Sequence, residues 1–184
     1  MFIGIIKNMQ ICGNSKYELA GVNGDVISLP LSFDNLPEKI QVKGETLYTP
    51  TPYHISLVCI GIIKGKYNIG IPDFINKIVE DFCEFTKENK IEITRYKDEY
   101  RFVDDKQSKK TVVVMCEVSN LDKFFDFINQ KYKLNIKYPA PHVTLYNTLK
   151  GKPGIPLIDE DDLKNFTTII KNPIDINLIY ENLK

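Results

Sequence analysis

The sequence predicts an α+β domain whose strands form a largely antiparallel sheet. Predicted strands outnumber predicted helices, and the two kinds of element follow each other without the regular alternation that is typical of parallel βαβ units. Asn23-Gly24 between Val22 and Val26 is also typical of a tight antiparallel hairpin. With 184 residues, of which 43% are hydrophobic, we expect residues 1–184 to form a single domain with a sizeable core.

The predicted strands are spread over the whole chain. Apolar and β-branched segments, bounded by turn residues, predict strands at 2–11, 20–29 (as a hairpin), 40–42, 45–48, 54–63, 91–96, 100–103, 111–118, 136–138, 142–149 and 174–180. A polar connection at 104–110 separates two of them.

Three segments predict helices. Apolar residues recur at helical spacing over 72–90, with Pro72 in the first turn, where its missing N–H is harmless. The same period over 121–131 predicts a second helix, which Ser119 and Asp122 begin as a capping box. A third helix is expected from 160 to about 170. Its acidic start, 159–162, suits a helix N-terminus better than a metal site.

The charge balance and the apolar runs restrict the possible partners. Lys and Arg number 24 and Asp and Glu number 24, and the resulting net charge of +0 argues against a broad contact with duplex DNA. The longest uncharged apolar run, 57–63, is far shorter than a membrane span, so we expect no membrane partner.

The four cysteines are Cys12, Cys59, Cys83 and Cys116. None lies in a C-x-x-C pair and three lie in apolar runs, which predicts buried thiols in a reducing compartment rather than disulfides or a zinc site. The apolar run before Lys7 is too short for a secretory signal, and we expect a cytoplasmic protein.

The chain contains two histidines, and both lie in the same four-residue pattern, His54-Ile55-Ser56-Leu57 and His142-Val143-Thr144-Leu145. Prolines precede both copies, which indicates a faint internal duplication. Since side chains on a strand alternate between its faces, each histidine shares a face with its hydroxyl neighbour. If the two strands are adjacent, two imidazoles and two hydroxyls meet at one site.

These four groups fit the cleavage of a phosphodiester without a metal. The reaction needs one group that removes a proton from the attacking oxygen and another that protonates the leaving oxygen, and imidazole can do both near neutral pH. The hydroxyls can donate hydrogen bonds to the non-bridging phosphate oxygens, on which negative charge grows in the transition state.

The two motifs resemble the paired His-x-Thr/Ser-x signatures of the two-histidine phosphoesterase superfamily, the LigT-like proteins, and so does their spacing. The resemblance covers residues 48–180. It implies a bilobal α+β fold in which two antiparallel sheets surround a central groove and helices lie outside. Residues 1–45 would then be additional N-terminal strands, including the hairpin.

The resemblance also implies an activity. It implies metal-independent hydrolysis, without a cofactor, of 2′,3′-cyclic phosphates or 2′–5′ bonds in RNA ends, small nucleotides or cyclic oligonucleotides. His54 and His142 would be the acid–base pair, and Ser56 and Thr144 would bind the phosphate. We expect a monomer whose partner is the nucleotide or RNA-end substrate.

Further candidates surround the second motif. Tyr146, two residues after Thr144, shares the histidine face if the strand is regular, and either binds the substrate by stacking on a base or packs against a neighbouring strand. Arg95 and Arg101 either contact a second phosphate or, as we favour, lie at exposed strand positions. The Gly- and Pro-rich loop 150–156 either lines the groove or is a surface connection.

Two other functions remain open from the sequence. The same groove could hold an RNA end or a nucleotide without turning it over. Alternatively, His54 and His142 could bind a metal together with Cys59 or Cys116. Strand alternation argues against Cys59, because it directs this side chain away from the face of His54.

Overall fold

A computed structural model describes residues 9–13, 16–21, 23–50 and 52–174. Among these residues the chain has ten strands in one antiparallel sheet and four helices, which confirms the predicted α+β class. The elements in chain order are β1 (Met9–Gln10), β2 (Glu18–Ala20), β3 (Val26–Leu31), β4 (Lys39–Val42), β5 (Glu45–Tyr48), β6 (Tyr53–Cys59), α1 (Ile60–Lys66), α2 (Phe74–Phe85), β7 (Ile93–Asp104), β8 (Lys110–Val118), α3 (Leu121–Tyr132), β9 (His142–Asn147), α4 (Glu160–Phe166) and β10 (Thr167–Ile170). None of the described helices is both long enough and apolar enough to span a membrane.

The two histidine strands are neighbours at the centre of the sheet. The strand order is β1-β2-β3-β6-β9-β8-β7-β10. The β4–β5 hairpin pairs with the end of β9, through Tyr48 and Asn147. β6 and β9 pair antiparallel through Ile55 and Val143. This pairing makes one continuous sheet out of the two sheets that the resemblance implies.

The apolar residues of both motifs anchor the sheet to the main core. Ile55, Leu57, Val143 and Leu145 are buried in the larger apolar cluster, where α2 and α3 cover the sheet. In α2 the buried residues Phe74, Ile78 and Phe82 lie one helical turn apart. The Phe82 ring meets the Phe124 ring of α3 edge to face at 5.2 Å between centroids.

The opposite face of the sheet is only partly covered. A smaller apolar cluster there consists of Val103, Val113, Met115, Ala140, Ile155 and Leu157. Leu163 and Phe166 of α4 pack against this cluster. The smaller cluster lies over β7 and β8 and leaves the central strands β6 and β9 uncovered. The same face of these two strands lines a cavity.

Several predicted elements are confirmed. The N–H of Gly24 donates to the carbonyl of Gly21, and β2 pairs with β3, so the hairpin is present. The acidic segment lies at the N-terminus of α4 as expected, and the side chain of Asp159 caps this helix by accepting from the N–H groups of Asp161 and Asp162.

Other predicted elements differ from the structure. The strand predicted for 54–63 ends at Cys59 and continues as α1, because a short apolar run does not distinguish a strand from a buried helix. The helix predicted for 160–170 ends at Phe166, where β-branched residues begin β10, the edge strand that pairs with β7. Residues 136–138 form no strand.

The remaining boundaries also change. α2 is shorter than the predicted helix over 72–90, and the strands predicted for 91–96 and 100–103 form the single strand β7. The capping box of α3 is absent, since the N-cap is Asn120 and the Ser119 hydroxyl donates to the carbonyl of Lys90. The predicted strands at 2–8 and 175–180 lie outside the described residues.

The prediction of four thiols is wrong for two of the cysteines. Cys12 and Cys83 form a disulfide, whereas Cys59 and Cys116 are free. The two bonded residues are 71 apart in sequence, and only the folded chain brings them together, so no local motif reveals the pair. The bond connects the segment after β1 to the outer helix α2.

Candidate active site

The pairing of β6 with β9 brings both motifs to one cavity. Because Ile55 is opposite Val143, the antiparallel register places His54 across from Thr144 and Ser56 across from His142. All four side chains line a cavity of about 700 Å³. That volume is in the range of sites for small molecules.

Each histidine is oriented by the carbonyl two residues before it. Nδ1 of His142 lies 2.8 Å from the carbonyl oxygen of Ala140, and His54 hydrogen-bonds the carbonyl of Pro52. When Nδ1 of His142 donates its proton to that carbonyl, the lone pair of the neutral ring is on Nε2. The duplicated motifs share this contact, and His142 also hydrogen-bonds the backbone of Ile155 in the loop after β9.

Burial lowers the pKa of both imidazoles. For His54, a hydrogen bond to the Pro52 carbonyl and the negative charge of Glu18 partly oppose this effect. For His142, burial is again the largest cause, hydrogen bonds to the backbone of Ala140 and Ile155 partly oppose it, and the nearby charge of His54 lowers its pKa further. A proton on one ring thus disfavours a proton on the other, so the doubly protonated pair is the least favoured state.

The loop after β9 forms one wall of the cavity. Residues 151–158 line it, which resolves the two possibilities for this loop in favour of the groove. The Nδ2 group of Asn147 donates to the carbonyls of Lys152 and Pro153, and Nζ of Lys109 donates to the carbonyl of Gly154. These hydrogen bonds hold the loop against the second motif.

Gly154 lies directly over the hydroxyl of Thr144. A Cβ atom at position 154 would come within 2.1 Å of Thr144 Oγ1, a distance that no real contact reaches. The absence of a side chain at Gly154 therefore allows the loop and the hydroxyl to occupy adjacent positions.

Tyr146 does not lie in the cavity. β9 pairs with β8 through Thr144 opposite Val113 and then through Tyr146 opposite Val112, so the register shifts by one residue between them. The shift turns Tyr146 into the main core, where it is fully buried and its hydroxyl donates to the carbonyl of Pro37. The expectation that Tyr146 stacks on a base required a regular strand. The structure shows the other alternative, in which Tyr146 packs in the core.

The two arginines also lie outside the cavity lining. Arg95 is exposed on β7 and forms an ion pair with Glu117 of β8. Arg101 hydrogen-bonds Glu99 and the hydroxyl of Thr167. Of the described residues that line the cavity, Lys152 has the only lysine or arginine side chain.

Cys59 lines the cavity, contrary to the prediction from strand alternation. β3 pairs with β6 through Ser56 and then Val58, and this bulge turns Val58 into the core and Cys59 towards the cavity. Burial raises the pKa of Cys59 to about 11 and that of Cys116, in the main core, to about 12. Both are therefore neutral thiols at neutral pH.

The metal hypothesis needs a cluster of ligands. Within the part of the chain that the structure describes, no three His, Cys, Asp or Glu side chains lie close enough together to hold a metal ion. Cys116 lies on the opposite side of the sheet from the two histidines.

The sequence did not reveal the far end of the cavity. The turn between β2 and β3 contributes Gly21, Asn23 and Asp25 to the lining, and α1 contributes Ile62 and Ile63. Asn23-Gly24 predicted the turn, but its position beside the histidines depends on the pairing of β3 with β6, which no local pattern shows.

No known protein family, characterised protein or solved structure matches this chain. The resemblance described above therefore rests on the two motifs and their spacing. The arguments for a function come from the cavity itself.

Proposed function

We propose that the protein is a metal-independent phosphodiesterase of the two-histidine type. It would hydrolyse 2′,3′-cyclic phosphates or 2′–5′ bonds in small nucleotides, RNA ends or cyclic oligonucleotides. One observation carries the proposal: two His–hydroxyl pairs from distant parts of the chain line the same cavity on adjacent central strands.

The two imidazoles divide the proton transfers. A neutral imidazole removes a proton from water as the water oxygen bonds to phosphorus. The other, protonated imidazole donates its proton to the ribose oxygen as the bond between that oxygen and phosphorus breaks. Each such transfer contributes roughly 10²–10⁴-fold to the rate. After turnover the proton positions are reversed, and exchange with water restores them.

The hydroxyls of Ser56 and Thr144 stabilise the phosphate. Both side chains line the cavity beside the imidazoles, and both can donate to non-bridging phosphate oxygens. Because these donors are fixed on paired strands, they need little rearrangement as negative charge grows in the transition state.

The cavity favours a small substrate with a single negative charge. Lys152 is the only lysine or arginine among the described lining residues, and burial favours neutral histidines. Much of the remaining lining is apolar, with several prolines, isoleucines and leucines. A phosphodiester carries one negative charge and fits this environment better than a polyphosphate, which needs several cations.

The proposal is tested with a panel of 2′,3′-cyclic nucleotides, 2′–5′ dinucleotides and cyclic dinucleotides, with and without EDTA. The protein is expected to convert at least one substrate class, and EDTA is expected to leave the rate unchanged. His54→Ala and His142→Ala are each expected to lower kcat by about 10²-fold or more, with circular dichroism spectra that match the wild type.

Full activity in either histidine variant would refute the proposal. Binding without any product would support the alternative, a nucleotide-binding module that uses the same cavity. Loss of activity in EDTA would require a metal site.

A further inference from the structure

The turn between β2 and β3 places a carboxylate and an amide at one end of the cavity. Asn23 and Asp25 line the cavity, two residues apart on the same turn. β3 pairs with β6 at Val26 opposite Cys59, which is three residues beyond Ser56. The Cys59 side chain at this end of the cavity hydrogen-bonds the Ser56 hydroxyl, so the turn adjoins the first motif.

Two glycines fix the position of the Asp25 carboxylate. A Cβ at Gly61 would come within 2.0 Å of Asp25 Oδ2, and a Cβ at Gly21 would come within 2.6 Å of Oδ1. The N–H of Gly61 also donates to the backbone carbonyl of Asp25. The carboxylate is therefore held closely between the hairpin and the first turn of α1.

This carboxylate has unused capacity to accept hydrogen bonds. It forms no hydrogen bond or ion pair with the residues that the structure describes, although it is half-buried. Its neighbours in the lining include the apolar side chains of Val26 and Ile62 and the neutral thiol of Cys59. A half-buried acceptor in such surroundings is stabilised by a ligand that brings N–H or O–H donors.

The two charged side chains of the described lining lie on different walls. Lys152 is on the loop that covers the second motif, and Asp25 is on the hairpin. The phosphate is favoured near the motifs and Lys152, and its negative charge is disfavoured near Asp25. The neutral end of a nucleotide, its base, is therefore expected at the hairpin.

We infer that Asp25 and Asn23 form a base-recognition subsite that selects guanine. Guanine presents two adjacent N–H donors, on N1 and N2, which match the two oxygens of one carboxylate, and an O6 acceptor, which matches the amide donor of Asn23. Adenine presents an acceptor at N1, which a carboxylate repels. The inference rests on the proposed function, because it takes the phosphate to lie at the histidines.

The test compares guanosine 2′,3′-cyclic phosphate with adenosine 2′,3′-cyclic phosphate. The wild type is expected to favour the guanosine substrate at least tenfold in kcat/KM, because a hydrogen bond to a charged group contributes roughly 10- to 100-fold. Asp25→Asn keeps the size of the side chain and is expected to abolish the preference through KM, with little change in kcat. The inosine substrate, which lacks the 2-amino group, is expected to lie between the two.

A matched control separates this effect from a general change in charge. Asp34→Asn alters an exposed carboxylate outside the cavity lining and is expected to keep the preference of the wild type. Equal kcat/KM for the two bases would overturn the inference. So would a guanine preference that survives in Asp25→Asn, or an equal loss for both bases, which would place Asp25 at a ribose hydroxyl.

A binding measurement keeps the inference separate from the catalytic proposal. If no cyclic nucleotide is hydrolysed, the proposed function fails, and calorimetry with guanosine 3′-monophosphate and adenosine 3′-monophosphate decides the inference. Tighter binding of the guanosine compound that is lost in Asp25→Asn supports it. Equal binding, or no binding, of the two compounds overturns it.

Discussion

His54 and His142 are both less basic than a free imidazole, because burial lowers the pKa of each below 6.5. The general base must be neutral, so activity falls below the pKa of that ring. The general acid must be protonated, so activity falls above the pKa of the other ring. The profile of kcat/KM against pH is therefore expected to be bell-shaped, with its maximum on the acidic side of 6.5.

The profile of kcat is expected to lie at higher pH than that of kcat/KM. Bound substrate places a negative phosphate beside the imidazoles, and a nearby opposite charge favours the protonated rings. Stopped-flow or steady-state rates from pH 4 to 9 measure both profiles (a range of about 2.5 pH units on each side of an ordinary histidine pKa). A kcat/KM maximum well above neutral pH would contradict the assignment of these two histidines.

Two hydroxyls on β9 offer a matched comparison between the faces of the sheet. Thr144 lines the cavity, whereas the Tyr146 hydroxyl donates to the Pro37 carbonyl in the core. Thr144→Val is expected to lower kcat by about 10²-fold, the usual effect of losing a donor to a transition-state oxyanion. Tyr146→Phe is expected to keep kcat and to lower the free energy of unfolding by about 1 kcal/mol. A loss of kcat in Tyr146→Phe but not in Thr144→Val would contradict the assignment of the active site to the cavity face of β9.

At the scale of elements, the sequence predicts which side chains share the site because each four-residue motif determines its own faces. Alternation within four residues is enough to place His54 and Ser56 on one face of β6. The faces of Cys59 and Tyr146 could not be predicted in this way, since each follows a bulge. A bulge is a property of two paired strands, and the sequence of one strand does not specify its partner.

The loop after β9 depends on one glycine for its contact with this strand. Gly154→Ala adds a methyl group where only 2.1 Å separates it from Thr144 Oγ1, so either the loop or the hydroxyl must move. We expect kcat/KM to fall at least tenfold, because the hydroxyl that donates a hydrogen bond to the phosphate is misplaced. Gly70→Ala is the control, since a Cβ there has no neighbour within 4 Å. Unchanged kinetics in Gly154→Ala would show that Thr144 does not need this position.

At the scale of the whole molecule, the disulfide connects the N-terminal strands to the helical layer. Cys12 follows β1, and Cys83 lies in α2, across the main core from the cavity. The same N-terminal strands continue through β2 into the turn that contains Asn23 and Asp25. The bond therefore restrains the part of the sheet that forms the inferred base subsite, without contacting the histidines.

Removal of the disulfide is expected to destabilise the protein more than it changes catalysis. The bond closes a separation of 71 residues, and in the chain-entropy description a loop of that length contributes about 4 kcal/mol to the free energy of unfolding. Cys83→Ser, or dithiothreitol added to the wild type, is expected to lower the urea midpoint accordingly. Dithiothreitol is expected to have no further effect on the Cys12→Ser, Cys83→Ser double variant. Below the new unfolding transition, kcat should stay near its wild-type value, because the strands β6 and β9 are held by their own pairing and by the core beneath them. A fall in kcat that matches the fall in stability would show instead that the catalytic strands depend on this bond.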